Sequence, residues 1–167
     1  MKLIIHDLKE KAFQELFPEL LGDIKVIADD TTIKPCIGCF GCWVKTPGMC
    51  IIKDGYSHMG EYLSRSDEVI LISRCTYGGF SPFVKNVLDR SISYIHPYFE
   101  IRNGEMHHKH RYDHHFNLKV WFYGQDISDL EKKTAEGIVK SNSINMNCKL
   151  KDITFVQDSR IIQECIL

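Results

Sequence analysis

The sequence lacks any long apolar run. A membrane-spanning helix takes about 18 to 20 consecutive apolar residues, and no stretch of the chain reaches that length. The first residues, MKLIIHDLKEK, turn charged after a few apolar positions, which is too soon for a secretory signal peptide. We therefore expect a cytoplasmic protein that has no membrane partner.

An excess of charge of either sign is also lacking. The 21 Lys and Arg residues nearly balance the 22 Asp and Glu residues, which gives a formal net charge of -1. A protein that neutralises many phosphates needs a basic excess or a basic stripe. The composition therefore predicts no nucleic-acid partner.

The nucleotide-binding motifs G-x-G-x-x-G and G-x4-G-K-[ST] are absent, as are internal repeats and low-complexity linkers. The missing motifs exclude a standard dinucleotide site and a P-loop. With 167 residues, of which 44% are hydrophobic and 26% charged, the chain has the size and composition of one globular domain, which we expect to span residues 1–167.

Short apolar runs do occur, and they alternate with amphipathic segments. The predicted strands cover residues 2–6, 24–28, 68–73, 118–123 and 151–157, and the predicted helices cover residues 8–21, 82–92 and 130–142. This alternation predicts an α/β protein with a doubly wound parallel sheet. Ligands on such sheets bind beyond the carboxyl ends of the strands, where the strand order switches.

Residues 94–117 show no clear periodicity and are predicted to form a long insertion loop. Aromatic side chains at its start would expose an apolar patch, which we expect a second copy of the chain to cover in a homodimer. The loop also holds five of the eight histidines, namely His107, His108, His110, His114 and His115. His110 and His114 would chelate a transition metal if the segment were helical; the alternative is a structural or subunit-contact role.

Four of the seven cysteines lie in one short segment, the cysteine loop of residues 30–54. They are Cys36, Cys39, Cys42 and Cys50, in the spacing C-x2-C-x2-C-x7-C. Closely spaced thiolates of this kind ligate iron–sulfur clusters, whereas zinc sites more often pair two separated units. Three interpretations stay open: an iron–sulfur cluster, a zinc site, or thiols that shape the loop without metal.

Three segments carry a resemblance to a known family. They are CIGCFGCWVKTPGMCIIKDG (residues 36–55), EVILISRCTYGGFSPFVKNVLDRSI (residues 68–92) and GEMHHKHRY (residues 104–112). In this order they resemble the flavodoxin-like NAD(P)H-dependent FMN reductases, and within them the branch that shares a compact cysteine motif with the iron–sulfur flavoproteins. The resemblance implies a flavodoxin-like three-layer sandwich with a five-stranded parallel sheet of order 2-1-3-4-5. It also implies FMN at the strand tips and NAD(P)H as the electron donor.

The resemblance places the flavin ring against the loop that follows the third strand. The candidate cofactor-binding residues are Arg74, Cys75, Thr76, Tyr77, Gly78, Gly79 and Ser81 in that loop, with Tyr123 and Gly124 after the fourth strand. Glycines allow close backbone approach to a planar ring, and Tyr77 would stack on it. The alternative is a plain turn before a helix. On that helix Lys85, Asp89 and Arg90 are interpreted as a surface lysine and a local ion pair.

The loop after the first strand departs from the family pattern, which has glycines and hydroxyls there to hold the FMN phosphate. Residues 6–11 of this chain, HDLKEK, contain neither. Asp7 is predicted to cap the following helix, where its carboxylate would repel a phosphate. The phosphate site is therefore expected to be rebuilt elsewhere or lost.

The sequence thus predicts an FMN-dependent redox protein, either an NAD(P)H-dependent oxidoreductase or an electron-transfer flavoprotein, whose partners are small-molecule electron donors or acceptors. Its catalytic residues cannot be assigned from the sequence. Two alternatives stay open: a flavodoxin-like binding module that has lost FMN, and a thiol- or metal-based redox sensor built on the four cysteines.

Overall fold

The computed structural model of the protein describes residues 1–165, the last three by their backbone only. In chain order the elements are β1 (Lys2–His6), α1 (Glu10–Leu16), β2 (Ile24–Ala28), α2 (Gly41–Val44), α3 (Met59–Ser64), β3 (Glu68–Arg74), α4 (Pro82–Arg90), a 3-10 turn (Ser91–Tyr94), β4 (Ile95–Arg102), β5 (Glu105–His110), β6 (Asn117–Tyr123), α5 (Asp129–Asn145), β7 (Lys149–Val156) and a second 3-10 segment (Ser159–Cys165).

A five-stranded parallel sheet forms the middle layer, in the order β2-β1-β3-β6-β7. Counted within this sheet alone, the order is 2-1-3-4-5, which confirms the predicted fold class. β3 sits at the centre because its residues Val69 to Ser73 are buried on both faces, as a continuous apolar run requires. The order of strands switches between β1 and β3.

Helices cover both faces of the sheet. Alternate residues of β1 and β3 divide between two cores: Leu3 and Leu71 pack with α3, α4 and α5, whereas Ile4 and Ile70 pack with α1 and the C-terminal segment. The layers are therefore helix, sheet and helix. No helix among residues 1–165 is long and apolar enough to cross a membrane.

The helices differ from the prediction at their ends. α1 stops at Leu16, because Phe17 precedes Pro18 and leaves the helical region with φ -129° and ψ 68°. α5 begins with a capping box, in which the Ser128 side chain accepts from the Glu131 N–H and the Glu131 carboxylate accepts from the Ser128 N–H. It runs to Asn145, three residues beyond the predicted end.

The prediction of a long loop over residues 94–117 was wrong. Most of this segment is an antiparallel hairpin of β4 and β5, which we call the histidine hairpin. Its turn places Asn103 at φ 53° and Gly104 at φ 82°, and an Asn-Gly pair with two positive φ values is the preferred sequence for such a turn. The turn signal was present in the sequence, but the polar side chains that surround it hid the strand pattern.

Candidate functional site

The loop after β3 is a tight turn. Thr76 and Gly79 exchange two backbone hydrogen bonds of 2.9 Å, and the residues between them, Tyr77 and Gly78, have φ values of 50° and 73°. The turn leaves the Tyr77 side chain 92% exposed. Tyr77 therefore contributes nothing to the core and is free to contact a ligand.

Gly78 is required for packing on α5. A Cβ atom at Gly78 would lie 2.9 Å from the Glu131 carbonyl oxygen and 2.9 Å from the Thr134 Cβ, at a positive φ. A Cβ at Gly79 would make only ordinary contacts, 3.5 Å from the Thr76 carbonyl oxygen and 3.8 Å from Ile138. Of the two glycines, Gly79 is the one that leaves space beside the turn.

Three more of the predicted cofactor residues make hydrogen bonds that hold the local structure. Ser81 caps α4, since its hydroxyl accepts from the Val84 N–H and its own N–H donates to the Ser73 hydroxyl at 2.8 Å. Cys75 donates its N–H to the Tyr123 carbonyl at 2.9 Å, and Gly124 donates to Val156 at 3.1 Å, so both extend the sheet. Burial raises the pKa of the Cys75 thiol.

A cavity in the described part of the chain, which we call the helix groove, lies beside this turn. It has a volume of about 720 Å³ and is lined mainly by apolar side chains. Its lining comes from the turn and α4 (Thr76, Gly79, Phe80, Lys85, Leu88, Asp89), the segment after α4 (Ser91, Ile92, Tyr94, Ile95), α5 (Ile138, Asn142, Met146) and the cysteine loop (Cys36, Gly38). Among the predicted cofactor residues only Thr76 and Gly79 line this groove.

Asp7 lies at the tip of the sheet and is not the cap that the sequence predicts. The residue before α1 is Lys9, whose side chain makes no capping hydrogen bond. The Asp7 carboxylate instead accepts the Arg74 N–H, at 3.0 and 3.2 Å from its two oxygens, and the Tyr123 hydroxyl at 3.1 Å. Burial and the nearby Asp7 charge raise the pKa of Tyr123, so its hydroxyl stays protonated.

These contacts do not fit an FMN phosphate at the switch between β1 and β3, where flavodoxin-like sheets hold their ligand. A phosphate needs free N–H groups or cations, whereas the Arg74 N–H already donates to Asp7. The neighbouring His6 supplies no cation, because burial lowers its pKa to about 4. Its ring stacks on Phe13 with centroids 3.9 Å apart. The described residues around Asp7 therefore do not form the cradle that an FMN phosphate needs.

The four clustered cysteines lie around one small cavity of about 50 Å³, which we call the cysteine cavity. Cys36 and Cys39 are exposed, Cys50 is half-buried and Cys42 is buried. Burial raises the pKa of the Cys42 thiol, and the neighbouring cysteines add to that shift. Because Cys36 also lines the helix groove, the two cavities adjoin.

Arg90 clamps the cysteine loop from α4. Its side chain is fully buried, and its guanidinium pairs with both oxygens of the Asp54 carboxylate at 2.8 Å. It also donates to the Cys50 sulfur at 3.1 Å and to the carbonyls of Lys34 and Ile52 at 2.7 and 3.3 Å. All the donor groups of this side chain are thereby used.

The sequence interpretation of Arg90 as part of a local ion pair was wrong. Lys85 pairs with Asp89, while Arg90 reaches 36 residues back along the chain to Asp54. A signal was available, because Arg90 follows Phe83 and Val87 on the apolar face of α4. A charged residue on such a face needs a buried partner.

The described residues give no support to a metal site. Among residues 1–162, whose side chains the structure describes, no three Cys, His, Asp or Glu side chains are grouped so that they could hold a metal ion. His110 lies in strand β5, so the helical spacing that would join it to His114 does not form, and His114 bonds to the Ser66 carbonyl. The iron–sulfur and zinc interpretations of Cys36, Cys39, Cys42 and Cys50 therefore stay predictions from spacing.

Comparison of the sequence with protein-family models and with curated proteins finds no match. Solved structures do match the fold. The Trp repressor binding protein from Bacillus subtilis has a TM-score of 0.59 and 10% identity, over 100% of this chain and 99% of that one. The NAD(P)H:quinone oxidoreductase from Methanothermobacter marburgensis has a TM-score of 0.57 and 16% identity, over 98% and 93%.

A third structure, general stress protein 14 from Treponema denticola in complex with FMN, has a TM-score of 0.57 and 13% identity, over 98% of this chain and 89% of that one. Identities this low establish the fold and no more. The comparisons do not confirm the branch with the iron–sulfur cysteine motif. The chain has the flavodoxin-like fold that these neighbours share.

Proposed function

We propose that the protein is an oxidoreductase that binds a flavin ring in the helix groove and exchanges electrons between NAD(P)H and a small acceptor of the quinone class. Two of its structural neighbours support this proposal, since one is an NAD(P)H:quinone oxidoreductase and another was solved in complex with FMN. A bound flavin supplies the hydride acceptor in such reactions. The protein supplies the position of the ring and excludes water from it.

The observation that carries the proposal is the composition of the helix groove. Its volume of about 720 Å³ lies in the range of small-molecule sites, which combine apolar walls with a few polar groups. Phe80, Leu88 and Ile138 provide apolar surface for the faces of a ring, and Thr76 and Asn142 provide polar groups for its edge. The groove opens beside the one loop that the family resemblance assigns to the flavin ring.

Titration of the apoprotein with riboflavin, followed by flavin fluorescence, tests the proposal. We expect binding at micromolar concentration, and Gly79→Ala should weaken it about fivefold or more, since overpacking costs about 1 kcal/mol or more. The matched control is Gly137→Ala on α5, where a Cβ meets nothing within 4 Å and which is not among the groove-lining residues. Absence of flavin binding in the wild type would favour a cofactor-free binding module instead.

A second candidate function is redox chemistry at the cysteine cavity. It is favoured by the arrangement of four cysteines around one cavity, with the Arg90 Nε–H 3.1 Å from the Cys50 sulfur. Clustered cysteines of this kind either ligate iron or react with oxidants. Iron content and visible absorption of protein purified without oxygen separate the two chemistries: iron that is lost in Cys42→Ser supports a cluster, and iron-free protein with reactive thiols supports a thiol sensor.

A further inference from the structure

The carboxyl edge of the sheet is acidic. Four of its five strands are followed within three residues by aspartate: Asp7 after β1, Asp29 and Asp30 after β2, Asp126 after β6 and Asp158 after β7. The Thr32 side chain and N–H lower the pKa of Asp30, and Arg160 lowers the pKa of Asp158 to about 2, so both are ionised at neutral pH. The edge that usually receives a ligand therefore carries ionised carboxylates, of which Asp158 is paired with Arg160.

Asp7 stands at the centre of this edge. It follows β1, and its carboxylate bonds to the tip of β3 through the Arg74 N–H and to the tip of β6 through the Tyr123 hydroxyl. These are the donor groups that an anion bound at the switch between β1 and β3 would use. The carboxylate of the protein thus occupies the place of a ligand anion.

Among the described residues, no cationic side chain forms an ion pair with Asp7, whose partners are a backbone N–H and a hydroxyl. α1 has only seven residues and its first residue is Glu10, so its N-terminus does not attract a second anion. His6 is neutral at pH 7 because burial lowers its pKa to about 4. Lys9 and Arg74 are exposed side chains, and the Arg74 backbone is already engaged by Asp7.

We propose that Asp7 is a specificity-determining residue that makes this site select an unphosphorylated flavin over FMN. The inference rests on the proposed function, because it concerns which flavin the helix groove accepts. A flavin whose ring lies beside residues 76–79 would extend its side chain along the carboxyl edge. A terminal hydroxyl there meets aspartates that accept hydrogen bonds, whereas a phosphate meets charge of its own sign.

Riboflavin and FMN differ only in the phosphate, so their affinity ratio measures the effect. We expect the wild type to bind riboflavin at least tenfold more tightly than FMN at low salt, with a smaller ratio as NaCl screens the repulsion. Asp7→Asn keeps an acceptor oxygen for Arg74 and Tyr123 but removes the charge. It should bring the ratio close to one.

The control is Asp126→Asn, which removes a charge from the exposed end of the same edge and should change the ratio less than Asp7→Asn does. Tighter binding of FMN than of riboflavin by the wild type would overturn the inference. So would a ratio that is unchanged in Asp7→Asn.

If the wild type binds neither flavin, the proposed function is wrong. The role of Asp7 is then tested separately, with inorganic phosphate as the anion. Thermal unfolding is then compared in phosphate and in chloride at equal ionic strength. Phosphate should raise the Tm of Asp7→Ser, which frees the Arg74 N–H, and should leave the wild type unchanged. Equal shifts in the two proteins would show that Asp7 does not exclude an anion.

Discussion

The tip of the sheet and the helix groove differ in how their polar groups are satisfied. At the tip, the Asp7 carboxylate bonds to Arg74 and Tyr123 within the chain and needs no ligand, although both ring nitrogens of the buried His6 beside it lack a hydrogen-bond partner. Beside the groove, the turn of residues 76–79 leaves an exposed tyrosine and apolar walls around about 720 Å³ of space. We therefore propose that this flavodoxin-like sheet keeps a ring site while the Asp7 side chain closes its phosphate site.

The same contrast holds for stability. The tip depends on a few polar contacts between strand ends, whereas the region of the groove depends on the Arg90 clamp of the adjoining cysteine loop and on the close packing of Gly78 against α5. Substitutions in the two regions should therefore differ in size and in their dependence on pH.

The largest effect is expected at Arg90. Removal of its side chain in Arg90→Leu leaves the Asp54 carboxylate, only 5% exposed, without its cation. Loss of one partner of a buried ion pair costs about 3 to 5 kcal/mol, which urea unfolding would measure. The control Lys85→Ala breaks an exposed pair on the same helix and should cost less than about 0.5 kcal/mol. If Arg90→Leu lowered the free energy of unfolding by a similarly small amount, Arg90 would not hold the cysteine loop in place.

His6 should make the tip sensitive to acid. Burial lowers the pKa of His6 from 6.5 to about 4. Between these pH values His6 is protonated in the unfolded chain and neutral in the folded protein. The free energy of unfolding is therefore unaffected by His6 above pH 6.5 and falls as the pH drops towards 4, by up to about 3 kcal/mol. In His6→Phe, which keeps the stacking on Phe13, the fall should shrink. Equal pH profiles for both proteins would show that His6 does not titrate in this range.

Gly78→Ala should come next in size. The added Cβ would lie 2.9 Å from the Glu131 carbonyl oxygen at φ 73°, and strain of this kind costs about 2 kcal/mol. Gly137→Ala, on the same helix that Gly78 contacts, should instead stabilise the protein by up to about 1 kcal/mol, since alanine favours helix. Chemical denaturation of both variants measures the difference. If Gly78→Ala stabilised the protein, α5 would not be packed closely against the turn at Gly78.

The smallest effect concerns association. The histidine hairpin exposes Tyr98, Phe99, Ile101 and Met106, and we propose that a second copy of the chain covers them. Ile101→Glu should weaken the dimer about tenfold or more, while Leu130→Glu, at an equally exposed site on α5, should leave it intact. Light scattering over a concentration series measures both. A wild type that stays monomeric at 100 times the concentration needed for detection would refute the dimer.

The central sheet could be predicted because its strands are encoded locally. The run EVILIS has the continuous β-branched and leucine pattern of a strand buried on both faces. Because helices alternate with the strands, few strand orders are possible for the rest of the sheet. The hairpin was missed although Asn103-Gly104 marks its turn, because its strands carry histidines where apolar residues usually alternate.

The site was harder to predict because its contacts join distant parts of the chain. Asp7 and Tyr123 are 116 residues apart and Arg90 and Asp54 are 36 apart, and no spacing rule connects such pairs. The sequence did show that residues 6–11 lack glycine and hydroxyl groups. It could not show that the aspartate bonds to β3 and β6 instead of capping α1.

The most direct test of the contrast between groove and tip is a map of backbone amide shifts during a riboflavin titration, recorded by two-dimensional NMR on the uniformly labelled protein. We expect the largest shifts at the groove-lining residues Thr76, Gly79, Phe80, Ile138, Asn142 and Met146, and smaller shifts at residues 6–11, which only the flavin side chain would reach. Large shifts at residues 6–11 with none at residues 76–80 would contradict this expectation.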